Sequence, residues 1–289
     1  MPELPEVQTV VNEIKKQKLV GEKIKDVEIL VPSLVAPMDT AAFANALKGR
    51  KITDLSRRAK YIVATLDDGN YFISHLRMSG HFVTIDAKEE RGRFERARIT
   101  FANGKALRYD DIRKFGRFNL VKDKEEILGK LGPEPLEKSF TPKLLFSLFP
   151  KDKKVKLCIK AWLLDQTNVA GLGNIYVDEA LWLAKIHPER PAASITPKEA
   201  EALQESIQSV LKKGIANSGT SLGHTQGNFI SADGKHGNNA DTLNVFHRQG
   251  QPCPRCEAII EKSVVAQRGT HICPNCQKKL KPKPSSRHL

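Results

Sequence analysis

Four of the five cysteines stand in two pairs, Cys253-Pro-Arg-Cys256 and Cys273-Pro-Asn-Cys276, with sixteen residues between them. Paired Cys-x-x-Cys knuckles at this separation suit tetrahedral binding of one Zn²⁺ by four thiolates. Four thiolates leave no open coordination position, so the predicted site is structural rather than catalytic. The stretch between the pairs predicts a hairpin with Val264–Thr270 at its end. Arg268 on such a metal-stiffened tip is placed to grip a phosphate, although tip arginines are also commonly just solvated. Cys158, between Leu157 and Ile159 on a helical segment, reads as a buried core thiol.

The second chemical group is the chain start, Met1-Pro2-Glu3-Leu4-Pro5-Glu6. Removal of Met1 before a small residue would leave Pro2 as a terminal secondary amine. Such an amine can attack an aldehyde-like carbon and form an iminium ion, provided it is neutral. The positive end of a helix disfavours its protonated form. Glu3 is then placed as a general acid/base and Glu6 as a holder of the turn through backbone donors. From the residues alone, a capped, exposed N-terminus with ordinary helix-start carboxylates is the favoured reading.

These groups need elements to position them. Val7, Val10, Val11 and Ile14 recur at helical spacing after Pro5, and the helix is expected to end near Gly21. From about 23 to 122, β-branched or alternating runs (Ile24–Val31, Tyr61–Leu66, Tyr71–His75, Arg98–Phe101) are punctuated by Asp67-Asp68-Gly69-Asn70 and Asn103-Gly104, which mark antiparallel hairpins. Residues 151–216 read as helical, with two helices flanking Asn168–Asn174. Residues 217–240 read as a long functional or disordered loop, and 281–289 as a disordered tail. The expected class is α+β in two domains: an antiparallel β-sandwich with a flanking helix at 1–134, a linker at 135–150, and a helical domain at 151–289 that includes a zinc-ribbon hairpin at 245–280.

Forty-seven Lys+Arg against 33 Asp+Glu give a net charge of +14. That surplus points to nucleic acid first and an acidic membrane surface second. No apolar run approaches a transmembrane length, the start is not read as a secretory signal, and the cysteine usage argues against a disulfide framework.

Taken in order, the motifs resemble the bacterial formamidopyrimidine-DNA glycosylase (8-oxoguanine DNA glycosylase) family. They are Pro2-Glu3-Leu4-Pro5-Glu6-Val7, Arg57-Arg58-Ala59-Lys60-Tyr61, His75-Leu76-Arg77-Met78-Ser79-Gly80, Asp111-Ile112-Arg113-Lys114-Phe115-Gly116, Leu131-Gly132-Pro133-Glu134-Pro135-Leu136, Leu164–Tyr176 and the cysteine ribbon. The resemblance runs from residue 2 to 276. It implies a bifunctional glycosylase and AP lyase of base excision repair, acting on double-stranded DNA that contains 8-oxoguanine or ring-opened purines. It also implies a monomer in the bacterial cytoplasm, associated with the nucleoid through DNA.

By that resemblance Pro2 forms the Schiff base at C1′, Glu3 protonates the sugar ring oxygen, and Lys60 and Arg268 assist β- and δ-elimination through phosphate. Met78, Arg113 and Phe115 fill the hole left by the extruded nucleotide; without the resemblance, Met78 and Phe115 read as core residues. His75, Lys156 and Asn174 are further DNA contacts, and the loop 217–240 closes over the extruded base. Two departures stand out. Phe94-Glu95-Arg96 replaces a His-x-His, which leaves Arg93 and Arg96 as the nearest cations. Val155 between Lys154 and Lys156 disturbs the expected basic register. The rival readings are an endonuclease VIII-like enzyme for oxidised pyrimidines, against which Leu4 and the Met78/Arg113/Phe115 set argue, and a non-catalytic damaged-DNA binder.

Overall fold

In the computed structural model, residues 1–152, 154–223 and 229–279 are described. They fall into two compact units. The first is Met1–Glu134 with Leu211–Thr242, and the second is Pro135–Val210 with the chain from Leu243 onward.

The first unit opens with helix α1 (Leu4–Lys16), followed by β1 (Ile24–Ile29), α2 (Thr40–Leu47), β2 (Ile52–Arg58), β3 (Tyr61–Leu66), β4 (Tyr71–His75), β5 (His81–Asp86), β6 (Glu95–Phe101), β7 (Lys105–Asp110), β8 (Arg117–Val121) and the short α3 (Glu125–Leu128). The strands form two antiparallel four-stranded sheets, in the orders β1-β6-β7-β5 and β2-β3-β4-β8. Their inner faces share one core, in which Phe118 of β8 lies 4.8 Å from Tyr109 of β7 and 5.7 Å from Phe82 of β5, ring centre to ring centre. This is the expected sandwich.

Helix α1 adds Val7, Val10, Val11 and Ile14 to that core. Four β-branched residues are indifferent helix formers, so burial rather than propensity holds this helix. It ends at Lys16, before Gly21, because Lys18 takes the left-handed conformation (φ 59°) and returns Leu19 to the core. The marked hairpin turns form as expected. Gly69 and Gly104 are left-handed (φ 83° and 81°), and Asp68 and Asn103 accept backbone N–H groups two residues on.

The second unit holds α4 (Pro142–Leu148), α5 (Ile159–Leu164), α6 (Asn174–Leu183) and most of α7 (Pro197–Ala216), then β9 (Glu261–Val265) and β10 (Arg268–Ile272). The segment 165–173 makes the turns between α5 and α6. Gln166 stitches them, donating to the carbonyls of Leu164 and Leu172 and accepting from Gly171 N–H.

Two domain expectations are corrected. Residues 135–150 are not a linker: Thr141 caps α4, Phe140, Leu145 and Phe149 are buried, and Phe149 packs on Trp162 at 4.5 Å. Nor does the second unit keep everything after 151. Leu211–Thr242 belongs to the first unit, where Phe229 and Ala232 enter the sandwich core and Ala232 accepts from Thr84 N–H of β5 at 2.9 Å. A third reading fails as well. Cys158 is a half-buried N-cap of α5 rather than a core thiol.

Candidate active site and nucleic-acid interface

Glu3 is the N-cap of α1 and forms a capping box with Glu6, whose Oε2 accepts Glu3 N–H at 2.8 Å. Pro2, Glu3 and Glu6 are all buried. The terminal amine of Met1 has its pKa lowered from the ordinary 8.0. Burial is the main cause and Lys60 and Arg113 add to it, while Glu3 and Glu6 oppose the shift. The same electrostatics show that these four side chains, 110 residues apart in sequence at the extremes (3 to 113), converge on the chain start. An amine whose protonated form is disfavoured by burial, beside two carboxylates and two cations, is suited to attack an electrophilic carbon.

Lys60 is 5% exposed and follows Ala59, which is held left-handed (φ 53°). The buried Glu134 carboxylate fixes this corner by accepting from Arg57, Arg58 and the N–H of Ala59. The motif Leu131–Leu136 was recognisable in sequence, but the task of Glu134 was not, because its partners lie more than seventy residues away.

His75 at the end of β4 is buried, with its ring edge-on to Tyr61 at 4.6 Å, and its Nδ1 accepts Arg77 N–H at 2.9 Å. Burial, with Arg77 and Lys60 adding, drives its pKa down to about 3. It therefore presents a neutral ring and no charge. Because the folded pKa is depressed, the unfolded chain binds the extra proton between 6.5 and about 3, and the stability His75 contributes is lost as pH falls through that window. In His75→Gln protein, the acid limb of a denaturant-measured stability profile is expected to be shallower there; an unchanged slope would refute the assignment.

Met78 and Phe115 are not core residues. They are 37% and 48% exposed, and Arg113 lies over the Phe115 ring at 4.7 Å. Leaving a phenylalanine half out of the core forgoes part of the about 1.5–3 kcal/mol that full burial brings. Arg96 is committed to the carbonyls of Asp111 and Glu95, whereas Arg93 is exposed and stacks on Phe94. Glu6 also anchors the base of the long loop, its Oε1 accepting Thr220 N–H at 2.7 Å. Residues 224–228 of that loop lie outside the described residues, as do Lys153 and the tail from 280.

In the second unit, Cys253, Cys256, Cys273 and Cys276 bring their sulfurs within 4.8 Å of one another. Hydrogen bonds from the Asn275 side chain and the Ala258 backbone hold the Cys256 thiol down to about 6. Four sulfurs this close can all ionise only around a cation, and the all-thiolate set fits one Zn²⁺. Trp182 of α6 donates to Cys253 Sγ at 3.4 Å, which seats the ribbon on the helices.

Arg268 is exposed at the start of β10, beyond a two-residue turn in which Ala266 and Gln267 are both left-handed (φ 51° and 59°). A turn usually given to Asn-Gly is strained here, so its flanks must be fixed. They are. The wholly buried Lys160 of α5 donates to Asp178 at 2.6 Å, to Thr270 Oγ1 at 2.8 Å and to the Gly269 carbonyl at 3.2 Å, and Asp178 accepts His271 N–H at 2.9 Å. Asn174 at the start of α6 donates to the Gly269 carbonyl at 2.8 Å, leaving its buried Oδ1 without a hydrogen-bond partner. Glu179 takes the backbone N–H groups of Asn244, Val245 and Phe246. Lys160, Asp178 and Glu179 escaped sequence reasoning, since charged residues on a helix read as its solvated face. Lys154 and Lys156 are exposed.

Residues 1–118 match the formamidopyrimidine-DNA glycosylase N-terminal domain, 131–226 that family's H2TH domain, and 250–279 the zinc finger found in FPG and IleRS. The chain is 47% identical to the formamidopyrimidine-DNA glycosylase of Protochlamydia amoebophila over 96% of this chain and 100% of the relative. With that of Geobacillus kaustophilus it is 41% identical, over 96% and 100%. Among solved structures, a Lactococcus lactis FPG mutant in complex with Fapy-dG-containing DNA matches with TM-score 0.87 and 39% identity, covering 96% of this chain and 100% of that one. The Lactococcus lactis complex with abasic-site DNA matches with TM-score 0.85 and 38% identity over the same shares.

Proposed function

The chain belongs to the formamidopyrimidine-DNA glycosylase family, and from that membership we propose how its own residues carry out the family's reaction. It is a bifunctional DNA glycosylase and AP lyase of base excision repair for oxidised purines, with one structural zinc. After loss of Met1, the Pro2 nitrogen attacks C1′ of the damaged nucleotide and the base departs. Glu3 protonates the sugar ring oxygen as the ring opens, giving a Schiff base. Loss of a proton from C2′ then expels the 3′ phosphate by β-elimination, and δ-elimination expels the 5′ phosphate. Lys60 in the first unit and Arg268 in the second neutralise the phosphates, with Asn174 and Lys156 as further contacts. Met78, Arg113 and Phe115 occupy the vacated stack.

The observation that carries this reading is the buried amine with a depressed pKa among Glu3, Glu6, Lys60 and Arg113. Pro2 is buried where Met1 is exposed, so the same burial would disfavour the protonated form of a secondary amine there. Among the described residues no helix is long and apolar enough to cross a membrane. We place the enzyme as a monomer in the cytoplasm, on DNA.

Borohydride trapping tests the assignment. A covalent adduct through Pro2 is expected on a duplex carrying 8-oxoguanine opposite cytosine, with much less on one carrying a dihydroxylated pyrimidine. Preferential trapping on the pyrimidine lesion would move the chain to endonuclease VIII-like chemistry. Tight binding with no adduct on either would leave a non-catalytic damage binder.

A further inference from the structure

The exposed trio rises from two loops that the topology lays side by side. Residues 76–80 pass from β4 in one sheet to β5 in the other, and 111–116 pass back from β7 to β8. Both ends of this double crossing are locked in register, since His75 pairs with Arg117 and His81 with Asp110. Met78 sits on the first loop, and Arg113 and Phe115 on the second.

Between the loops lies the Asp111 carboxylate, 1% exposed. Its Oδ1 accepts Ser79 Oγ–H at 2.6 Å and Arg113 N–H at 3.1 Å, and its Oδ2 accepts Gly116 N–H at 2.9 Å. Ser79 Oγ in turn accepts Arg113 N–H at 3.1 Å, which completes the bridge. The Tyr109 hydroxyl reaches the same carboxylate at 3.5 Å from the sandwich core. It also explains both glycines: a Cβ at Gly80 or Gly116 would stand 2.0 or 1.9 Å from the Tyr109 oxygen. Each loop is thus pressed against one phenol and tied to one carboxylate.

We propose that Asp111, with Ser79 as its bridge, is the positioning residue that makes the two loops a single wedge, so that Met78, Arg113 and Phe115 enter DNA together and Arg113 reads the orphaned base from a fixed distance. The carboxylate touches no reacting atom. Its effect is on partner-base discrimination and on unstacking, while the amine chemistry depends on burial at α1, Glu3, Glu6 and Lys60, with Arg113 the smallest of the charges acting on it. The inference rests on the proposed function and names the source of its specificity.

The test compares wild type, Ser79→Ala and Asp111→Asn on 8-oxoguanine opposite cytosine and opposite adenine, with 2-aminopurine beside the lesion to report unstacking. β-Elimination at a preformed abasic site in single-stranded DNA, where no stack has to be filled, is the companion readout. A bidentate base contact discriminates by roughly 5- to 150-fold. In both variants the cytosine-to-adenine ratio is expected to narrow on the order of tenfold, with a weakened 2-aminopurine signal and unchanged single-strand cleavage. Ser79→Ala removes one oxygen and little volume, so it keeps the test open if Asp111→Asn fails to fold. An unchanged ratio and signal in folded Ser79→Ala protein, or equal losses on duplex and single strand, would overturn the wedge. Failure of wild type to excise from either duplex would instead overturn the glycosylase reading and the wedge with it.

Discussion

Glu3→Gln protein is expected to bind lesion-containing DNA normally and to lose base excision by a factor on the order of 10²–10⁴, the usual share of a positioned general acid. The replacing amide keeps the size of the carboxyl group and can still accept a hydrogen bond at the head of α1, so the helix start survives. What it lacks is the proton for the ring oxygen and the negative charge that Glu3 places beside the amine. Pro2→Gly is expected to be milder, because it retains a buried terminal amine. The iminium of a primary amine can lose its N–H proton to give a neutral imine, a poorer electron sink than the permanently charged iminium of proline, and glycine adds freedom at a position that is now buried. Single-turnover excision with binding measured in parallel checks both, and wild-type excision rates in the two variants would remove these residues from the chemistry.

The second large effect concerns zinc. A chelator or Cys273→Ser is expected to unfold the ribbon, seen as new proteolytic cuts within about residues 250–279, and to abolish tight DNA binding. The ribbon's own core is small: Cys253, Ile260 and Cys273 with Val245 and Trp182. Structural zinc supplies about 10–16 kcal/mol in such modules, which a core of this size does not replace. Without the metal, the strained turn before Arg268 loses the ends that hold it, and the Lys160–Asp178 pair loses Gly269 and Thr270. A buried donor stripped of its acceptor costs about 1–3 kcal/mol, more when it is charged, so the damage extends to α5 and α6. DNA affinity that survives in zinc-free protein would show that Arg268 contributes nothing to binding.

Several of these features lie in short windows of the chain. The four-cysteine set follows from spacing alone, as do the hairpins at Gly69 and Gly104 and the buried stripe of α1. Each depends on residues a few positions apart, and local geometry decides them. The ordered motifs added the candidate site residues, although the residues themselves left the chain start readable as an ordinary capped helix.

The tertiary structure decided everything that depends on a distant partner. Glu134 meets Arg57 across 77 residues, Lys160 meets Thr270 across 110, and Glu6 meets Thr220 across 214. Nothing in a local window distinguishes these buried charges from solvated ones, because the difference is the presence of a partner that folding brings. The same reason governs the return of Leu211–Thr242 to the first unit and the failed core reading of Met78 and Phe115. Apolarity specifies what a side chain would gain by burial; whether the loops at 76–80 and 111–116 turn it inward is set by the register of two sheets and by the Asp111 carboxylate between them.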